Sequence, residues 1–194
     1  MEEEGLILKK GSIIDSTLVE GHHKPGKTGG DGGILDPDAE WTVRDGNVHG
    51  GYKVSMCVDE KSELIREVVV TGSATHDALL FDPLVIGDEE KVYDADKGYA
   101  SEYNSELLAC LQIEDGICYK AYRNRPLLGW QAAVNKWLNK HRAAVERKFA
   151  EVKEYHGMRR FRYAGLIRNR IQAYLTAIVM NMKRKVKLKK LAFA

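Results

Sequence analysis

The stretch Ser12-Ile-Ile-Asp-Ser-Thr-Leu-Val19 decides the fold, because it predicts a strand in the interior of a sheet. Isoleucine, threonine and valine are β-branched and favour extended backbone. Successive side chains of a strand point to opposite faces, so Ile13 and Ile14 lie on different faces, and both faces are largely apolar. Such a strand is covered on both sides. Asp15 is a carboxylate in the middle of this strand, where it requires a partner or a cation.

The chain around this strand predicts four more strands and four helices. The strands cover residues 52–58, 64–70, 90–96 and 117–120, and the glycine-rich segment 21–48 before them is predicted as loop. The first helix starts at Thr75 or Asp77 and ends near residue 86. The other three cover residues 101–112, 128–155 and 168–183. A basic segment, residues 184–190, follows and is predicted to be disordered.

This order of elements predicts an α/β fold with one mixed sheet. Three consecutive strands favour an antiparallel meander, and the β-α-β alternation after them favours parallel strands joined by right-handed crossovers. The expected architecture is a mixed five-stranded sheet, with three antiparallel strands plus parallel strands, flanked by helices.

The predicted helix 128–155 contains a carboxylate between two cations. Positions four and seven apart share a helix face, so Arg142, Glu146 and Lys153 lie along one side. One interpretation is a surface helix with ion pairs. The other is an acidic metal ligand flanked by cations that face a polyanion.

Composition narrows the class of protein and of partner. The chain has 194 residues, 44% apolar and 30% charged, which is typical of a globular domain rather than a disordered chain. The three cysteines lack zinc-type spacing, and we expect a reducing, cytoplasmic location and no membrane span. Residues 1–118 hold 10 Lys and Arg against 25 Asp and Glu, whereas residues 119–194 hold 20 against 3. This asymmetry predicts a polyanion partner for the C-terminal half, although the two halves also attract each other.

Three carboxylates stand out: Asp15 on the first strand, Asp96 on the fourth, and Glu146 on the helix after the fifth. If the first and fourth strands are neighbours, their acidic faces meet in the middle of the sheet. Clustered carboxylates repel unless cations neutralise them, and Mg²⁺ and Mn²⁺ favour oxygen ligands. Two such ions about 4 Å apart clamp the attacking and leaving oxygens of a phosphodiester. The basic helix and tail would then hold the DNA backbone.

Three motifs carry a resemblance to a known family. Gly11-Ser-Ile-Ile-Asp-Ser-Thr17, Tyr93-Asp-Ala-Asp-Lys-Gly-Tyr99 and Arg142-x3-Glu146-x6-Lys153 resemble the signatures of DDE transposases of bacterial insertion sequences. The closest group is the insertion-sequence-five family. Further similarity lies in Tyr52-Lys53 with Val58-Asp59, in Thr75-His-Asp77, and in Gly157-x7-Gly165-Leu166 with Asn181-Met-Lys-Arg184. The resemblance covers residues 5–187.

The resemblance implies a ribonuclease-H-like catalytic domain at residues 1–187 and a basic tail at 188–194. It implies that Asp15, Asp96 and Glu146 are catalytic and bind two Mg²⁺ or Mn²⁺ ions, with Asp94 as the alternative second carboxylate. It also implies DNA cleavage and 3′-hydroxyl strand transfer at transposon ends by a homodimer assembled on DNA. The expected DNA-binding residues are Arg142, Lys153, Arg147, Lys97, Arg159 and Arg160.

Two departures from the family pattern leave an alternative open. Asn139 occupies a position where the family often has tyrosine, so a stacking or backbone contact is expected to be missing. An N-terminal region that recognises inverted repeats is also expected to be absent. The alternative is therefore a truncated, inactive remnant that acts only as a non-specific DNA-binding module.

Overall fold

The fold is that of a computed structural model, which describes residues 1, 3–26, 34–44, 46–87 and 91–192, without the side chains of residues 191 and 192. Six strands form one sheet: β1 (Ser12–Glu20), β2 (Glu40–Arg44), β3 (Asn47–Asp59), β4 (Ile65–Gly72), β5 (Val92–Ala95) and β6 (Glu114–Ile117). The helices are α1 (Glu102–Cys110), α2 (Gly129–His141), α3 (Ala143–Tyr155) and α4 (Leu166–Ala192). Three short 3₁₀ turns cover Asp77–Leu80, Asp82–Leu84 and Lys97–Tyr99.

The predicted fold class is confirmed. Strand β1 lies inside the sheet, antiparallel to β3 on one edge and parallel to β5 on the other, and β6 pairs in parallel with β5. Both β2 and β4 pair antiparallel with the long strand β3. This mixed sheet, flanked by helices, is a ribonuclease-H-like arrangement.

The sheet contains six strands rather than the predicted five, because β2 lies inside the segment 21–48 that was predicted as loop. Most of β2 is exposed, including Trp41 and Val43, so it lacks the buried periodicity that identifies a strand. The Trp41 ring covers Gly50 of β3, where an added Cβ would lie 2.7 Å from it.

Strand β6 occupies 114–117 and not the predicted 117–120. The chain leaves the sheet after Ile117, and the amide of Tyr119 donates to Asn135 Oδ1 of α2 instead of to a strand.

Alternation along β1 separates two apolar layers. Ile13 and Val19 face a layer that includes Val145 and Phe149 of α3 and Ala173 of α4. On the other face, Ile14 packs in a layer with side chains from β5, α1 and the 3₁₀ turns, namely Tyr93, Ala95, Leu108, Phe81 and Leu84. Asp15 shares the face of Ile13 and therefore points towards α3.

Two predicted helical features are wrong. The predicted helix up to residue 86 is a pair of 3₁₀ turns, because Pro83 has no amide to donate and disfavours helical backbone in the residue before it. The segment 184–190, predicted to be disordered, belongs to α4, which continues to Ala192. Contacts distant in sequence anchor this end of α4: Arg184 Nε donates to the Ser62 carbonyl at 2.7 Å, and Lys189 pairs with Glu4 at 2.8 Å.

A fully buried carboxylate, Asp36, joins the loop before β2 to the start of α4. It accepts a hydrogen bond from the Tyr52 hydroxyl at 2.7 Å and from the Gly165 amide at 3.1 Å. Next to it, Asp38 accepts from the Leu166 amide at 2.9 Å. These bonds satisfy amides at the N-terminus of α4 that have no partner within the helix.

No helix in the described part of the chain is both long enough and apolar enough to cross a membrane.

Candidate active site

Two of the three predicted carboxylates lie side by side on neighbouring strands. Strands β1 and β5 run parallel, with Ile13 opposite Asp94 and Ile14 opposite Ala95. Asp96 is the next residue after β5, which places it level with Asp15 on β1. Residues two apart on a strand point to the same face, so Asp15 shares the face of Ile13, and Asp96 shares that of Asp94. Both side chains therefore lie on the face that α3 covers.

The guanidinium of Arg142 bridges these two carboxylates. Its Nη2 lies 2.8 Å from Asp15 Oδ2, and its Nη1 lies 3.3 Å from Asp96 Oδ1. The same Nη1 donates to Asn139 Oδ1 at 3.3 Å. Asp15 also accepts the amide of Ser16 at 2.8 Å. One arginine thus links two carboxylates from different strands and offsets part of their negative charge.

Arg142 reaches the pair because the helix predicted at 128–155 is broken at this residue. Helix α2 ends at His141, α3 begins at Ala143, and Arg142 lies between them. The prediction of one continuous helix is therefore wrong. Alanine, glutamate, lysine and arginine around the break all favour helix, so composition carries no signal for it.

Burial and charge act in opposite directions at this centre. Burial raises the pKa of the Asp15 carboxyl above its usual value, although Arg142 and the Ser16 amide favour its ionised form. Burial also disfavours the charged form of Arg142, but Asp15 and Asp96 outweigh it and raise the pKa of the guanidinium. A second cation near Asp15 would further favour the carboxylate form.

Glu146, the third predicted carboxylate, does not join the pair in this structure. It lies on the exposed surface of α3, one turn after Arg142, and its amide donates to the Arg142 carbonyl. Among the described residues, no three or more His, Cys, Asp or Glu side chains are arranged to hold a metal ion. The structure therefore brings together Asp15 and Asp96, and leaves Glu146 one helical turn away.

Asp94, the alternative second carboxylate, has a different set of neighbours. Its side chain is only 3% exposed, and its Oδ2 lies 3.5 Å from His141 Nδ1. Glu60 lies 3.7 Å from the same nitrogen. Burial raises the pKa of the Asp94 carboxyl to about 6, although nearby His141 lowers it. Asp96, and not Asp94, shares the arginine of Asp15.

A polar network that the sequence analysis did not assign lies behind the pair, on the opposite face of the sheet. Asp77 accepts from Lys53 Nζ at 2.6 Å and from the Ser16 hydroxyl at 3.1 Å. Lys53 also donates to the Thr75 carbonyl. The sequence contains one indication of this network, which is the similarity of Tyr52-Lys53 and Thr75-His-Asp77 to family motifs. Because Ser16 follows Asp15 directly, this network supports the backbone of the first carboxylate.

Apart from Arg142, the predicted DNA-binding cations fall into two groups. Three form ion pairs with exposed or half-buried glutamates: Arg147 with Glu63, Arg159 with Glu154, and Arg160 with Glu20. Lys97 is exposed in the 3₁₀ turn after Asp96, and Lys153 makes no ion pair with any carboxylate among the described residues.

Lys153 lies in a basic cleft near the first carboxylate. The cleft has a volume of about 770 Å³, and its lining includes Thr17 of β1, Arg44 of β2, Lys153 and Arg159. Burial lowers the pKa of the Lys153 ammonium, and the charges of Arg44 and Arg159 lower it further. Arg44 was missed because β2 was predicted as loop. Such a concentration of positive charge attracts anions.

Comparison with known proteins gives the family. The model of the family described as "Transposase DDE domain" matches residues 8–182. The chain belongs to this family. The transposase domain is also similar to the "Transposase for insertion sequence element IS1106" of Neisseria meningitidis serogroup B. The two are 31% identical over an alignment of 205 residues. The alignment covers 94% of this chain and 68% of that protein. The predicted family is confirmed, and assignment to the insertion-sequence-five group stays a prediction.

The donor set of the transposase domain suits a hard divalent cation. Asp15 and Asp96 offer carboxylate oxygens from two adjacent strands, and a single guanidinium offsets only part of their negative charge. Oxygen ligands of this type are those that Mg²⁺ and Mn²⁺ prefer. The residues therefore fit a divalent metal at this position.

Proposed function

We propose that this chain is the catalytic domain of a DNA transposase, which cuts DNA strands at transposon ends and transfers the freed 3′-hydroxyl to target DNA. The observation that carries the proposal is the adjacency of Asp15 and Asp96 on parallel strands β1 and β5, with Arg142 between their carboxylates. Membership of the transposase family supports it. The proposed activity places the protein in the cytoplasm with its DNA.

The proposed reaction has two phosphoryl-transfer steps. In the first, water attacks a phosphodiester, the bond from phosphorus to the 3′ oxygen breaks, and a 3′-hydroxyl is released. In the second, that hydroxyl attacks a target phosphodiester and displaces another 3′ oxygen. In each step one phosphorus–oxygen bond forms and one breaks, so no oxidant or external energy source is needed.

We propose that Asp15, Asp96 and Glu146 hold two Mg²⁺ or Mn²⁺ ions. When bound, such ions neutralise developing charge on phosphate oxygens and lower the pKa of attacking water. The role of the protein is to fix carboxylate oxygens on β1 and at the end of β5. Glu146 lies one helical turn after Arg142, the residue that pairs with Asp15 and Asp96. It is on the same side of the helix as Lys153.

Arg142 has two partners in this proposal. Without DNA it pairs with Asp15 and Asp96. With DNA, a phosphate replaces the aspartates as the partner of the guanidinium, which releases carboxylate oxygens for metal. Arginine binds phosphate with the same planar fork of donors that binds carboxylate.

The remaining proposed DNA contacts are Lys153, Lys97, Arg147, Arg159 and Arg160. Lys153 has the strongest structural support, because it lines the basic cleft together with Arg44 and Arg159. We propose that DNA phosphates occupy this cleft. Transposition brings two transposon ends together, so we also propose that the domain works as a homodimer on DNA.

The test is Mg²⁺-dependent nicking of supercoiled DNA and of duplexes that carry the ends of the element. Glu146→Gln should abolish nicking and leave DNA binding largely unchanged. Glu151→Gln is the matched control, because Glu151 lies on the same helix and pairs with Lys148. Equal nicking by wild type and Glu146→Gln would contradict the proposed role of Glu146.

A second candidate is a module that binds DNA without cutting it. It is favoured by the position of Glu146, which lies outside the Asp15 and Asp96 pair. Under this candidate, wild-type protein binds DNA but produces no nicks with Mg²⁺ or Mn²⁺. Metal-dependent nicking that requires Asp96 would exclude it.

A further inference from the structure

The segment Tyr119–Arg142 combines positive charge with exposed aromatic rings. Within these 24 residues there are six Lys and Arg and no Asp or Glu. We refer to it as the aromatic–basic surface. Besides Arg142, its members are the cations Lys120, Arg123, Arg125, Lys136 and Lys140 and the aromatic residues Tyr119, Tyr122, Trp130 and Trp137.

These cations are not neutralised by the protein. In the described part of the chain, none of the five cations other than Arg142 forms an ion pair with a carboxylate. Asp115 borders the surface, but its carboxylate already accepts from the Ser105 hydroxyl at 2.7 Å and the Ile117 amide at 2.9 Å. The charge on this surface therefore remains available to an anionic partner.

The aromatic rings are exposed and held in place. Trp130 and Trp137 are each 56% exposed and lie seven residues apart on α2, which puts them on one face. Trp130 packs edge-on against Tyr119, with ring centroids 5.2 Å apart. Asn135 fixes the backbone of Tyr119 through two hydrogen bonds, of 2.8 and 2.9 Å. Large exposed rings on a rigid helix are suited to stacking on a partner.

The surface leads directly to the two aspartates. Trp137 packs against His141 with ring centroids 4.2 Å apart and ring planes tilted by 53°, and His141 precedes Arg142. Arg142 in turn contacts Asp15 and Asp96. A strand that follows α2 towards its C-terminal end would therefore arrive at the carboxylate pair.

We propose that the aromatic–basic surface binds an unpaired DNA strand, with its bases stacked on Trp130 and Trp137 and its phosphates on the neighbouring cations. A duplex keeps the faces of its bases stacked inside the helix, so only a single strand presents them to aromatic side chains. A basic groove combined with aromatic platforms is the usual means of binding single strands. This inference rests on the proposed function only in identifying the strand as the one that reaches Asp15 and Asp96.

The experiment compares binding of a fluorescent oligothymidylate with binding of a duplex of the same length, by anisotropy, with the full chain. Trp130→Leu and Trp137→Leu should each weaken binding of the single strand by about tenfold, the scale of one base–aromatic stack. Duplex binding should change little. Tyr103→Leu is the control, because Tyr103 is equally exposed but lies on α1 and donates to Asp82. It should bind both probes as wild type does.

A second pair of variants tests the charges. Lys136→Gln and Lys140→Gln should weaken binding of both probes and reduce the dependence of affinity on salt. Circular dichroism and melting temperature confirm that each variant is folded. The inference is overturned if the folded tryptophan variants bind oligothymidylate as wild type does, or if wild type binds no single strand.

Failure of this inference can be distinguished from failure of the proposed function. Tryptophan-dependent binding of single strands without metal-dependent nicking would support the proposed binding surface and contradict the proposed nuclease activity. Nicking that requires Asp96, with no loss of single-strand binding in Trp130→Leu and Trp137→Leu, would contradict the proposed binding surface and support the proposed nuclease activity.

Discussion

Two pairs of aspartates in this molecule are stabilised in different ways. Asp36 and Asp59 are fully buried, and their partners are mainly backbone amides. Asp59 accepts from the Ser62 amide at 2.7 Å and from the Leu8 and Lys9 amides at 3.2 Å. Asp15 and Asp96 instead share one long arginine side chain, and their side chains are 17% and 40% exposed.

The difference separates carboxylates that hold the fold from carboxylates that are available for chemistry. Backbone amides are part of the fold and cannot leave Asp36 or Asp59 without local unfolding. A guanidinium can exchange one anion for another by side-chain rotation alone. Variants of each kind of carboxylate test this distinction.

The largest effect is expected from Asp36→Ala. It removes the acceptor of the Tyr52 hydroxyl and the Gly165 amide, both of which lie in the interior. Loss of these charge-assisted bonds should cost about 3 kcal/mol of unfolding free energy. Asp38→Ala is the control and should cost about 1 kcal/mol, because it removes one bond at the end of α4. Urea unfolding measures both, and equal losses would contradict the distinction.

Arg142→Gln should have the next largest effect. It leaves Asp15 and Asp96 close together without their shared cation, which we expect to cost about 2 kcal/mol. Mg²⁺ or Mn²⁺ should restore much of this loss by replacing the positive charge. Arg147→Gln, which breaks an exposed pair with Glu63, should cost less than about 1 kcal/mol and show no rescue. Melting temperatures with and without metal decide between these outcomes.

Glu63→Gln tests a carboxylate that is held by several cations. Burial raises the pKa of Glu63, but Arg147, Arg184 and Lys148 outweigh this and hold it below its usual value. The contribution of the Glu63 carboxylate to stability is therefore present above its unfolded pKa of about 4.3. It is lost as pH falls through the lower folded pKa. Glu63→Gln should cost about 1 kcal/mol at pH 7 and converge with wild type in acid. A difference that persists at low pH would contradict this.

Asp96→Asn should have the smallest effect on stability in the absence of metal. Asparagine keeps the size of the side chain and an oxygen for Arg142, and the site is half-exposed. We expect a change within about 0.5 kcal/mol, as for most accessible positions. Asp59→Asn, at a buried site, should cost more, because an amide is a weaker acceptor for three backbone amides. Chemical unfolding of the two variants gives the comparison.

Much of the sheet and the adjacency of two carboxylates were predictable. β-Branched residues on both faces of β1 predict an interior strand, and the β-α-β alternation in the second half of the chain predicts parallel strands. The sequence brings Asp15 and Asp96 together only if the first and fourth strands are neighbours, and the observed register, with Ile14 opposite Ala95, sets the two residues level. Asp96 was predicted as the last residue of a strand over 90–96, whereas β5 ends one residue earlier, at Ala95.

The features that were missed depend on contacts distant in sequence. The break at Arg142 lies where its guanidinium contacts two aspartates on other strands, and helix-favouring neighbours conceal it. The end of α4 is rich in lysine and resembles a disordered tail, but Ser62 and Glu4 hold it. The role of Asp36 requires Gly165, which is 129 residues away. Local pattern carries no information about such pairs.

The most direct test of the central claim is stabilisation of the folded chain by Mn²⁺ in the presence of duplex DNA, which is proposed to free the carboxylates from Arg142, measured for wild type, Asp96→Asn and the control Asp82→Asn. Ligation by the Asp15 and Asp96 pair predicts that wild type and Asp82→Asn gain about 2.7 kcal/mol at a hundred times the dissociation constant. That gain corresponds to a rise in melting temperature of roughly 5–10 °C, and Asp96→Asn should lose most of it. Equal stabilisation of all three proteins, or of none, would contradict the claim that these carboxylates form the metal site.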